Sequence, residues 1–145
     1  MLDAEVIALG WQFYARLGLK GVKLVVNSLG DADDRANYIN ALSEYLRSRA
    51  AELSDESRAT LERNPLRVLD SKRSQDKPVI TDAPVITDFL SDDARNHFAA
   101  VRAALDLLGV PHVLDERLVR GLDYYRRTTF EFVGTGLDGA QNAVG

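Results

Sequence analysis

The chain has 145 residues, 46% of them apolar, and its 18 basic and 22 acidic side chains leave a net charge of −4 with histidine neutral. That composition fits one globular domain or a piece of a larger one, long enough to bury about 70% of its unfolded surface without staples. With no cysteine, a disulfide framework, a cysteine-type zinc or iron–sulfur site and a thiol nucleophile are excluded. The sequence also has neither a run of about 18 apolar residues nor a basic-then-apolar leader, so the expectation is a cytoplasmic protein without a membrane span.

Val6, Leu9, Phe13 and Leu17 recur at spacings of three and four, which predicts one face of a helix from about Asp3 to Leu17, stopped by Gly18. Val22, Leu24, Val25 and Val26 form a β-branched run between Gly21 and Asn27, a strand too apolar for an exposed edge. Asp31 is placed to cap a second helix whose apolar side is Ala36, Ile39, Leu42, Tyr45 and Leu46, with Asp33 and Asp34 favouring its positive end. A third helix is expected from Ser54 to about Glu62, ended by Asn64-Pro65 because the residue before a proline leaves the α region. Residues 70–84 are polar and punctuated by proline, and the doublet Pro-Val-Ile-Thr-Asp at 78–82 and 84–88 reads as duplication within a loop, since two copies are too few for a solenoid. Ser91 caps the last predicted helix, with Phe98, Val101, Leu105 and Leu108 at helical spacing and Gly109 as its stop. His112–Leu114 and Thr128–Val133 read as strands, and the tail beyond Gly134 has no apolar period.

Helix, strand, helices, strand, strand predicts an α+β domain interrupted after its first strand by an all-helical insertion. The expected division is 1–30 and 111–145 as flanking parts of one sheet domain, with 31–110 as the insertion. So few strands cannot support a sheet alone, so the chain reads as part of something longer.

Charge is uneven. Residues 47–77 carry 8 basic against 6 acidic groups. A solvated face of mixed sign explains that balance, and so does contact with phosphates. The denser signal is Leu118-Val119-Arg120-Gly121-Leu122-Asp123-Tyr124-Tyr125-Arg126-Arg127-Thr128-Thr129-Phe130-Glu131. A turn accounts for Gly121 and Asp123 but not for three arginines and paired tyrosines. Arginine forks match carboxylate and phosphate, and tyrosines offer an apolar face with a polar tip. The residues alone leave two readings open, an anionic ligand or a rim of salt bridges with aromatics packed on the sheet. His97 and His112 have no partners at metal or triad spacing, so no metal site and no catalytic histidine is expected.

Leu118–Tyr125 with Arg127–Glu131 resembles the histidine-specific motif of histidyl-tRNA synthetases, and Asn64–Lys72 and Asn27–Gly30 resemble the same family. The likeness implies part of the antiparallel catalytic sheet of the second synthetase class, interrupted by a helical insertion lying beside the tRNA acceptor stem. It implies that Arg120 contacts the ATP α-phosphate and the histidine carboxylate, that Tyr124 and Tyr125 form the histidine pocket with Tyr125 nearer the ring, and that Gly121 admits the ligand close to the backbone. Asp123 is expected only to hold the loop. The complete enzyme would use ATP with magnesium, histidine and tRNA(His), as a homodimer. Arg47, Arg49, Arg58, Arg63, Arg67, Lys72 and Arg73 are the candidate tRNA contacts; the competing expectation is that they pair with Asp55, Glu56, Glu62 and Asp70.

The chain departs from the family in lacking the three general class motifs, with their ATP-holding arginines and magnesium carboxylates, and in carrying Arg126 where the family more often has a small polar residue. The expectation is therefore a histidine–tRNA ligase fragment that is inactive alone and binds no cofactor. The alternatives are a non-catalytic paralogue serving as a regulatory subunit of histidine biosynthesis, which would not need Arg120, and a stand-alone helical interaction module.

Overall fold

The computed structural model describes residues 2–118 and 126–134. Helix α1 (Leu2–Arg16) leads into strand β1 (Val22–Ser28), followed by α2 (Ala32–Ser48), α3 (Asp55–Arg63), α4 (Lys77–Thr81), α5 (Asp92–Leu107), β2 (His112–Leu114) and β3 (Thr128–Gly134). Short 3₁₀ turns at Ala50–Glu52, Pro65–Asp70 and Ile86–Phe89 join the helices.

The three strands share one sheet in the order β2-β1-β3, so the apolar run lies at its centre as expected. β1 pairs β3 antiparallel, with Val26 opposite Phe130 and Ser28 opposite Thr128. It pairs β2 parallel, with Leu24 opposite His112. A parallel neighbour requires a long crossover, and the helices between β1 and β2 supply it. β3 instead returns against β1 from the segment carrying the arginines and tyrosines.

Two apolar cores result. One gathers Leu29, Tyr38, Leu42, Leu46, Leu53, Leu61, Val68, Val79 and Ile86 inside the helical stretch. The other joins Ala4, Ile7 and Ala8 of α1 to Leu24 and Val26 of β1, Phe132 of β3, and Phe98, Val101 and Leu105 of α5. α5 therefore lies on the sheet, although it follows the other helices in sequence.

Local signals explain most boundaries. Gly18 and Gly109, at φ +71 and +68, stop α1 and α5. Ser54 and Ser91 accept from the N–H groups of Ser57 and Ala94, both at 3.3 Å, capping α3 and α5. The Asn64 side chain accepts from Leu66 N–H at 3.1 Å and starts the next 3₁₀ turn where α3 ends.

Three expectations change. The stripe Val6, Leu9, Phe13 and Leu17 faces solvent, each more than half exposed. Ala4, Ile7 and Ala8 face inward instead, and the helix runs close to β3 at Gly10, where a Cβ would stand 2.9 Å from Phe132. Leu108, placed on the core face of α5 by its spacing, is also exposed. The Pro-Val-Ile-Thr-Asp doublet is not loop: the first copy makes α4 with its proline in the first turn, and the second leads into a 3₁₀ turn. Val79 and Ile86 from the two copies fill the helical core.

Candidate functional site

The carboxyl end of β1 brackets the segment singled out in the sequence. Asn27 Nδ2 donates to the Leu118 carbonyl at 3.0 Å. Leu29 N–H donates to the Arg127 carbonyl at 2.6 Å and Arg127 N–H donates to the Gly30 carbonyl at 3.0 Å. Arg127 also donates from Nε and one terminal nitrogen to the two carboxylate oxygens of Asp31, both at 2.9 Å, and reaches Asp93 at 3.2 Å. The hydrogen bonds from Arg127 hold the Asp31 carboxyl below the usual carboxylate range, and the guanidinium is held firmly protonated in return. Arg120, Gly121, Asp123, Tyr124 and Tyr125 lie outside the described residues.

A groove of about 280 Å³ opens beside this bracket, with Gly30, Asp31, Arg35, Ile39 and Arg126 in its lining. Arg126 is exposed and makes no ion pair among the described residues. On the sheet face opposite α1 and α5, the register neighbours Asn27 and Thr129 are fully buried. Asn27 Oδ1 and Thr129 Oγ1 have no partner among the described residues.

A polar seam ties the helical stretch to the sheet. Buried Asp34 accepts from Asp31 N–H at 3.0 Å, Ser91 N–H at 3.0 Å and Ser91 Oγ at 3.1 Å, joining the starts of α2 and α5. Arg117 donates to the carbonyls of Thr81, Ala83 and Pro84 at 2.9, 2.5 and 3.0 Å. Thr128 Oγ1 donates to Asp3 Oδ2 at 2.6 Å, and His97 Nε2 stands 3.6 Å from the same oxygen. His112 Nδ1 lies 3.2 Å from the Val110 carbonyl. Neither imidazole faces a cluster able to hold a metal among the described residues.

The basic stretch divides. Arg49 pairs with Glu52 at 2.6 Å and Asp82 at 3.2 Å and donates to Tyr45 Oη at 3.0 Å. Arg58 pairs with Asp55 and donates to the Leu53 carbonyl at 2.8 Å, and Arg73 lies 3.5 Å from Glu56. Lys72 is engaged as well. Arg47, Arg63 and Arg67 are exposed and unpaired among the described residues.

Sequence reasoning passed over Asp76. Fully buried, it accepts from Ser54 N–H at 2.7 Å and from the hydroxyls of Ser54, Ser57 and Ser71 at 3.0, 2.5 and 2.5 Å. Burial opposes its charge, yet these donors outweigh that and lower its pKa to about 2. No local pattern marked it, because Ser54 and Ser57 lie 22 and 19 residues away in sequence. Tyr38 is the other perturbed core group, pushed up to about 12 by burial against the opposing charge of Arg117.

No protein-family profile matches the chain. It is 49% identical over 132 residues to the histidine–tRNA ligase of Pediococcus pentosaceus, covering 91% of this chain and 31% of the relative. It is 50% identical over 131 residues to that of Streptococcus equi subsp. zooepidemicus, covering 90% of this chain and 31% of the relative. The crystal structure of apo histidyl-tRNA synthetase from S. aureus superposes with a TM-score of 0.67 at 39% identity, covering 90% of this chain and 30% of that one. The chain thus spans about a third of the relatives it matches.

Proposed function

We propose that this chain, a homologue of histidine–tRNA ligases over nine-tenths of its length, is the part of such an enzyme that carries the histidine-specific motif and the helical insertion. The observation that carries the reading is the 49–50% identity joined to the motif Leu118–Tyr125. The complete enzyme activates histidine with ATP to histidyl-adenylate and transfers it to tRNA(His), as a cytoplasmic homodimer. Residues 1–30 and 111–145 are parts of its catalytic domain; 31–110 form the insertion, whose closing helix α5 packs on the sheet.

Arg120 is the catalytic residue. As the histidine carboxylate attacks the α-phosphate, charge grows on the phosphoryl oxygens, and a fixed guanidinium stabilises it without reorganising. Tyr124 and Tyr125 hydrogen-bond the substrate imidazole, so that a wrong amino acid leaves polar groups unpaired. Gly121 lets the backbone approach the ligand. Magnesium would neutralise phosphate charge when bound with ATP, and it has no ligand cluster among the described residues. Arg47, Arg63 and Arg67 are favoured as phosphate contacts over Arg49, Arg58, Lys72 and Arg73, because only the first three keep their charge unpaired among the described residues.

Histidine-dependent ATP–pyrophosphate exchange tests the reading. Full-length enzyme carrying this segment should exchange, and the isolated chain should not, since it lacks the ATP-positioning motifs. Arg120→Ala should slow single-turnover adenylation by about a hundred-fold; near-normal rates would remove Arg120 from the chemistry. Neutral replacements of Arg47, Arg63 and Arg67 should raise the KM for tRNA and leave adenylation unchanged. An alternative paralogue serving histidine biosynthesis would bind histidine without exchange.

A further inference from the structure

Arg127 occupies a conformation that calls for an explanation. It sits at φ 56, the one non-glycine residue with positive φ among those described. A non-glycine residue persists there only when its surroundings over-determine it, and such residues gather at functional sites. Here the surroundings are explicit. Its N–H and carbonyl are both bonded to the Leu29-Gly30 turn, and its guanidinium is forked onto Asp31, the residue that opens α2. The same side chain reaches Asp93 in the first turn of α5. Gly30, itself at φ +64, packs so closely on Asp34 that a Cβ would stand 2.6 Å from the Asp34 Cβ. Asp34 in turn holds Ser91, the cap of α5.

One residue thus fixes where the chain emerges from the motif and where two helices of the insertion begin. We infer that Arg127 is a positioning residue that registers the helical insertion on the histidine-binding segment, acting through the Asp31 and Asp93 carboxylates rather than by touching a substrate. This rests on the histidine–tRNA ligase reading above. The physical reason is the fork: two parallel hydrogen bonds fix orientation as well as distance, which a lysine cannot reproduce. Asn27, also at the carboxyl end of β1, bonds the Leu118 carbonyl.

The test is steady-state pyrophosphate exchange by full-length enzyme carrying this segment, with Arg127→Lys, Arg127→Gln, Asp31→Asn, Asp93→Asn and the double variant Asp31→Asn/Arg127→Gln. Mispositioning should raise the KM for histidine by about three- to thirty-fold in folded, active enzyme. The double variant should be no worse than Arg127→Gln alone, since both remove one interaction. Arg127→Lys should fail to restore the wild-type KM. The Asp93 side chain is 88% exposed, so Asp93→Asn tests the link without unfolding the protein. A purely structural role would lower kcat with the folded fraction and leave the KM for histidine alone; that result, or additive effects in the double variant, overturns the proposal. A wild-type enzyme with no exchange overturns the ligase reading and this inference with it, whereas an active wild type beside unaffected variants overturns this inference alone.

Discussion

Asp76 is where a conservative substitution should do most damage away from the motif. Asp76→Asn keeps the size and leaves one oxygen to accept from Ser54 N–H. The other oxygen becomes an NH₂ facing the hydroxyls of Ser54, Ser57 and Ser71, all of which donate in the wild type. Two N–H groups cannot serve three hydroxyls, and any hydroxyl that turns to accept must aim its own proton elsewhere. Ser71 is only half-buried and can turn to water, but Ser54 and Ser57 are 6% and 3% exposed. Stranding a buried donor costs about 1–3 kcal/mol, which places the variant about 2–4 kcal/mol below wild type.

The depressed pKa gives an independent figure. A carboxyl lowered from 3.8 to about 2 contributes about 2 kcal/mol to folding when charged. Because the folded pKa is the lower one, that stabilisation is complete above the unfolded value near 4 and is lost as the pH falls through about 2. Urea denaturation followed by far-UV circular dichroism should give a lower midpoint for Asp76→Asn at pH 7 with an unchanged slope. The gap between the two proteins should close as the pH falls from about 5 towards 2. Other carboxylates, including Asp31 and Glu52 with their lowered pKa values, titrate in both proteins and cancel in the difference. A variant within about 0.5 kcal/mol of wild type at pH 7, or a gap that does not change with pH, would refute this account of the serine cluster.

Two further outcomes are expected. Gly30→Ala should destabilise the protein by at least about 1–2 kcal/mol in the same assay, from the left-handed backbone alone, because its Cβ would also meet Asp34 Oδ2 at 2.7 Å and Leu90 at 2.9 Å; wild-type stability would show that the turn relaxes freely. Leu9→Lys with Phe13→Lys should suppress concentration-dependent association of the isolated chain, seen by light scattering, while shifting stability by no more than about 0.5 kcal/mol, since Leu9 is 69% and Phe13 57% exposed; a large loss of stability would place those side chains in a core.

What the sequence made legible is what local chemistry decides. Strand β1 followed from its β-branched run, and α3, α5 and their limits followed from Ser54, Ser91, Asn64-Pro65 and Gly109. Local pattern misled where a residue type has two uses. The prolines at 78 and 84 read as loop punctuation, yet proline is also at home in a helix's first turn, and the valine and isoleucine beside them had a core to fill. In α1 the stripe Val6, Leu9, Phe13 and Leu17 made the visible period, but the face carrying Ala4, Ile7 and Ala8 is the one that packs, with Gly10 close to Phe132. Asp76 carried no signal in its own neighbourhood, because its meaning depends on Ser54 and Ser57, about twenty residues away.

The same distinction explains why the seam was not legible at all, and what it is suited to do. Arg127 and Asp31 are 96 residues apart, Ser91 and Asp34 are 57, and Arg117 reaches carbonyls more than 30 residues away. No period or cap motif encodes such pairs. The two apolar cores are separate clusters among the described residues, and charge-assisted hydrogen bonds run between them. Desolvation offsets much of the stability such contacts offer, while their geometry is directional. Losing one therefore costs less in unfolding free energy than in the angle at which the helical stretch meets the sheet. Core variants should accordingly lower the unfolding midpoint, whereas seam variants should first disturb how the helical stretch is aligned on the sheet.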